Sequence, residues 1–182
     1  MPGGPVHTIE LKVGDNTMTE TVNIVRDPRL TATDEDLAAQ YQLKLSIRDE
    51  VSRVHAMVNQ IRRLQKQLDG WTERIKASGG NDALSDDAAA AKKKLDELLD
   101  ELIVVKPGMP KPGGARLKDK LNTLSTMIDE SDDAPTAGAL EVFESLGERV
   151  DERSNRLHRI IAGELAAFNT KVQQAGLAPV GD

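Results

Sequence analysis

The chain has 182 residues, a formal net charge of −6 and a sequence pI of about 5.2, an acidic balance that argues against nucleic acid as a partner, because neutralising phosphates needs a basic surface. Hydrophobic residues make up 38% and charged residues 30%, so a core can be built, but aromatics are only 2% (Tyr41, Trp71, Phe143, Phe168); a core of Leu, Ile, Val and Ala is that of coiled-coil-like helix packing. The absence of cysteine excludes disulfides, thiolate zinc sites and cysteine nucleophiles.

The first segment, Met1-Pro2-Gly3-Gly4-Pro5, lacks a basic stretch followed by an apolar one and does not read as a signal peptide. No apolar run reaches the roughly 18 residues needed to span a bilayer. Residues 6–25 read as a β-hairpin. Ile9, Leu11 and Val13 alternate with Thr8, Glu10 and Lys12, a period of two. Gly14-Asp15-Asn16 is the expected turn, and Met18, Val22 and Ile24 share a face interrupted by Glu20. Two strands alone are marginal in water, so this hairpin is expected to dock on the helices or on strands that the chain lacks. Asp27-Pro28-Arg29 ends it, since proline cannot donate to a ladder.

The first helix is predicted over about 34–77. Thr33-Asp34-Glu35-Asp36 is a capping-box-like start with acids in the first turn. Ile47, Val54, Ile61, Leu68 and Ile75 recur every seven residues, with Val51, Val58, Leu64 and Trp71 filling the offsets. Gly70 falls inside and weakens the helix by about 1 kcal/mol. Gly79-Gly80 stops it. The second helix is predicted over about 86–105, with Ser85 as N-cap and Ala88, Ala91, Leu95, Leu98, Leu102 and Val105 stepping by three and four. The stretch from Lys106 to Gly114 holds three prolines and three glycines in nine residues and cannot be helical. A third helix over about 116–130 carries Leu117, Leu121, Leu124 and Ile128. A fourth, over about 135–175, carries Phe143, Leu146, Val150, Leu157, Ile160, Ile161, Leu165, Phe168 and Val172 on one stripe. The fold class is therefore mainly α, with a β-hairpin at 1–30 and a helical bundle at 31–182. Helix lengths favour an elongated antiparallel three-helix bundle whose middle rod is broken at the proline loop. The rival is a four-helix up-down bundle.

Residues able to do chemistry are sparse. His55 and His158 each follow a seam residue and belong at the seam's edge, while His7 lies in the hairpin. A metal site joining His55 and His158 to Glu164 or Asp151 is conceivable, but no HxxxH or ExxH spacing supports it, and flanking half-exposed histidines are the better reading. The acids follow helix-surface periods, and a slim bundle offers no cleft in which two of them could face each other. No GxSxG, P-loop or post-strand GxGxxG is present. Lys92-Lys93-Lys94, Arg62-Arg63 and Arg153, Arg156 and Arg159 read as solvated, salt-bridging faces. The assignment is no catalytic, cofactor-binding or metal-binding residue.

The order of several short motifs carries a resemblance. A hairpin from Pro5 to Arg29, closing on Asp27-Pro28-Arg29, looks like the last two strands of an immunoglobulin- or fibronectin-like domain. It is followed by Asp36-Leu37-Ala38-Ala39-Gln40-Tyr41, by Ile47-Arg48-Asp49, by Pro135-Thr136-Ala137 and by Ala166-Ala167-Phe168-Asn169. In that order they resemble the C-terminal region of large bacterial BNR/Asp-box, sortilin-like β-propeller proteins, often labelled glycosyl hydrolases. The resemblance implies an exported protein with a large N-terminal propeller that holds any glycan site. The chain has no Asp-box repeat, so it resembles a C-terminal fragment or a stand-alone relative, and the hydrolase label transfers to no residue. The expected role is a non-catalytic helical accessory or interaction module, partnered by a β-propeller or Ig-like region or by self-association. The alternatives are a ligand- or metal-binding helical bundle, an adaptor offering an apolar stripe to a partner helix, and a glycan hydrolase by family label only.

Overall fold

The computed structural model describes residues 6–25, 27–77, 82–104 and 114–175. It is mainly helical, with an N-terminal two-stranded antiparallel hairpin. Strands β1 (Val6–Val13) and β2 (Asn16–Asn23) pair from Val6↔Asn23 to Val13↔Asn16. The loop is thus the two residues Gly14-Asp15, one shorter than the expected turn, because Asn16 already belongs to β2. Gly14 has φ +61, and among the described residues no non-glycine is at positive φ, which fits a II′ loop with glycine first. The register puts Ile9, Leu11 and Val13 opposite Glu20, Met18 and Asn16 on one face. Thr8, Glu10 and Lys12 oppose Thr21, Thr19 and Thr17 on the other, where Lys12 and Glu10 form an ion pair of 2.7 Å.

Helix α1 (Asp34–Ala77) begins as its sequence dictates. The Thr33 N–H donates to the Asp36 carboxylate (2.7 Å), and the Asp36 N–H donates to the Thr33 hydroxyl (3.1 Å), a reciprocal cap. All five heptad positions from Ile47 to Ile75 are buried, as are Val58, Leu64 and Trp71, with Val51 half-buried. The Arg74 guanidinium sits 5.3 Å from the centroid of the Trp71 ring.

Helix α2 (Asp82–Leu102) starts one turn before the predicted Ser85 cap; Leu84 is buried, and burying it extends the helix toward the N-terminus past the local cap signal. Val105 and the proline loop lie outside the described residues. Helix α3 (Leu117–Asp129) buries all four of its predicted core residues, Leu117, Leu121, Leu124 and Ile128. Helix α4 (Ala137–Ile160) is capped by the Thr136 hydroxyl, which accepts from the Ala139 N–H at 3.1 Å. It passes through a π turn (Ile161–Leu165) into α5 (Ala166–Gln174).

The π turn was not foreseen, and its cause is local. Leu157 and Ile160 are buried, and the next buried residue is Leu165, five positions after Ile160. An α-helix would bring Glu164 to the core face at that level. One wide turn puts Leu165 there instead and leaves Glu164 at the edge, where it pairs with Lys94 of α2.

The core is a continuous cluster of side chains from all of these helices, and no polar or charged residue among those described is buried in it. Polar pairs across the helices give their mutual register. Gln65 donates to Asp96 (2.6 Å) and Lys92 pairs with Asp69, so α2 runs against α1. Gln40, near the start of α1, donates to the carbonyls of Ile128 (2.8 Å) and Ser131 at the end of α3, and Lys44 pairs with Asp129. Arg53 of α1 pairs with Asp151 of α4 at 2.5 Å. Lys171 with Asp87 (2.5 Å), Lys94 with Glu164 and Arg156 with Glu101 (2.6 Å) place α4 and α5 against α2.

Candidate interaction surface

The residues most able to form a metal or catalytic site are held elsewhere. His55 and His158 are both exposed. Asp151 is engaged by Arg53, and Glu164 by Lys94. The hydrogen bond from the Lys94 ammonium, followed by a backbone hydrogen bond, holds the Glu164 carboxyl below its ordinary value. The Asp151 carboxylate likewise raises Arg53 above the usual guanidinium value. Among the described residues no group of three or more His, Asp or Glu is placed to hold a metal ion.

The basic residues follow the same logic. Arg153 bonds to Glu101 (3.2 Å) and to Glu152, Arg156 bonds to Glu101 and Glu97 (2.6 and 3.5 Å), and Arg116 reaches Asp100 at 2.8 Å. This network straddles the end of α2 and the start of α3. It ties the end of α2, the start of α3 and α4 together. Lys92 and Lys94 are paired to Asp69 and Glu164.

Among the described residues two surfaces remain uncovered. The first is the hairpin. Ile9, Leu11, Val13 and Met18 are each more than half exposed on one face, and no strand residue approaches a helix. Of the two docking sites expected for it, the helices of this chain are not the one used. The second is a groove between α3 and α4, where the sequence led us to expect no cleft. It encloses about 780 Å³ and is lined by Leu124, Met127, Ile128, Ala139, Val142 and Leu146. Its cause is side-chain size: Ala134, Gly138 and Ala139 face the short helix α3 across the turn after Ser131, and small residues leave the space open. Lys120, Asp133, Glu141 and Arg149 also line it, none of them buried. The lining is therefore apolar with mixed charges around it.

The groove was missed because Leu124, Ile128 and Leu146 are ordinary core residues by spacing. The available signal was the run Ala137-Gly138-Ala139-Leu140 beside exposed Met127 and Val142. Among the described residues no helix is long and apolar enough to cross a membrane. No family model matches this sequence, and comparison with curated proteins and with solved structures likewise gives no match.

Proposed function

We propose that this chain is a non-catalytic helical accessory module of a larger exported β-propeller protein, of the BNR/Asp-box type that its motif order resembles. The observation that carries the reading is the hairpin: Ile9, Leu11, Val13 and Met18 make an exposed apolar face, broken by Glu20, that nothing among the described residues covers. An apolar sheet face of this kind is stable when further β-structure packs on it. An Ig- or fibronectin-like body completed by the hairpin supplies that cover. The helices, by contrast, have spent their main apolar stripes on one another.

The bundle is then a stalk that holds the β-body at one end. We read it as three rods: α1, an interrupted rod of α2 followed by α3, and α4 with α5 running parallel to α1. Three sets of contacts support this. Residues 65 and 69 of α1 pair with 96 and 92 of α2; residues 40 and 44 pair with 128 and 129 of α3; and residue 53 pairs with 151 of α4. Moving back along α1 moves forward along α2 and then α3, as one broken rod requires.

The test is the company the chain keeps. An antibody against the bundle, used on extracts of the native cells, should recover Asp-box propeller sequence in stable association with it or in the same polypeptide, in an extracytoplasmic fraction. Recovery of a free species at 19.8 kDa from the cytoplasm, with no propeller attached, would overturn the proposal.

A further inference from the structure

We propose that the hairpin face and the α3–α4 groove are two parts of one docking surface, occupied together by the β-sheet body that completes the hairpin. This inference rests on the reading just given and names the second surface that such a body covers.

Three observations point to it. First, the exposed large apolar residues of the helices are gathered at one end. Tyr41, Met127 (62% exposed), Leu140 and Val142 all lie where α1 starts, α3 finishes and α4 starts. Gln40 bonding to Ile128 and Ser131 fixes that these three termini are neighbours. Second, this is the end at which the hairpin is attached. Ala32 is buried and Thr33 caps α1, whose first turns Gln40 ties to the end of α3, so the connection from Asn23 arrives at this end of the bundle.

Third, the connection is short. From Ile24 to Ala32 there are nine residues, which span at most about 30 Å when extended. A turn shortens this further, since the Leu30 N–H donates to the Asp27 carbonyl at 3.1 Å and Asp27 grips Arg29. A β-domain of about 100 residues has a radius of gyration of about 13 Å. A body of that size built on the hairpin has its own surface within reach of the bundle end. An apolar groove with charged residues around it is what it then meets. The alternative occupant, a second copy of this chain, needs no β-body and is separated by the experiment.

The chain is made in its native cells with a photoreactive phenylalanine analogue at Met127, at Leu11 or, as control, at exposed Glu73 near the far end of α1. After irradiation the cross-linked peptides are sequenced. Positions 127 and 11 should both capture peptides of one β-strand-rich segment, and position 73 none of it. Adding Val142→Glu, a half-exposed position, should lower the yield at 127 about tenfold, as expected for a charge forced into an apolar contact worth about 1.4 kcal/mol, with the far-ultraviolet dichroism unchanged. Capture by position 127 of a second copy of this chain, of an unrelated polypeptide, or of nothing while position 11 still captures the β-segment, would overturn the inference and leave the accessory reading standing. Failure at position 11 as well would bring down both.

Discussion

Leu95 and Glu164 show how the same bundle treats an apolar and a charged side chain at neighbouring levels. Leu95 is fully buried in α2. Leu95→Ala should cost about 2–5 kcal/mol, the loss of buried methyl groups plus the cavity left behind, read as a shift in the urea midpoint. Glu164 is held outside the core by the π turn, and its carboxyl is lowered from 4.5 chiefly by the hydrogen bond from Lys94. A carboxyl lowered in the folded state adds stability that is present above its unfolded value and lost as pH falls through the folded one. Glu164→Gln should therefore cost about 0.5 kcal/mol at neutral pH, a modest figure because the pair is open to solvent. The difference from the parent chain should fade as pH drops below 4.5. Urea unfolding at stepped pH checks this; a gap that stays constant into acid would contradict it.

At the scale of the element, Gly70 is the clearest lever. It sits inside α1, and a Cβ built there meets nothing within 4 Å. Gly70→Ala should raise stability by about 0.5–1 kcal/mol, measurable as a higher thermal midpoint, and a lower midpoint would mean that the helix needs the glycine. Elements were the part of this fold most legible beforehand. The heptad from Ile47 to Ile75, the Thr33–Asp36 cap and the alternation in β1 are local signals, and each appears where its residues place it. What escaped was set by tertiary fit. Leu84 draws α2 a turn earlier, the five-residue step from Ile160 to Leu165 forces a π turn, and small residues facing α3 open the groove. No single segment announces these, because each depends on what a neighbouring helix offers. The proposed docking surface was half legible: the alternation showed that the hairpin had an apolar face, whereas the clustering of Tyr41, Met127, Leu140 and Val142 required three helix termini to be brought together.

For the whole molecule, the proposed order of the rods has a direct consequence. In the proposed arrangement, with α1 and α4 parallel and residue 53 level with 151, Glu73 lies level with position 171, near Gln173 and about 27 residues, or about 40 Å, from Glu144 along the α4–α5 rod. The chain lacks cysteine, so paired cysteine substitutions at exposed Glu73 and Gln173, or Glu73 and Glu144, take spin labels cleanly. Dipolar spectroscopy should give the shorter distance for the first pair, and the reverse order would favour the up-down arrangement. The central claim is that the helices satisfy one another while the hairpin waits for a cover from outside. Amide hydrogen exchange on the isolated chain tests it most directly. The account predicts strong protection along the cores of α1, α2 and α4 and exchange of the β1–β2 amides at close to the unprotected rate. Hairpin amides protected as well as the helices would contradict it, because the face of Ile9, Leu11, Val13 and Met18 would then already be covered.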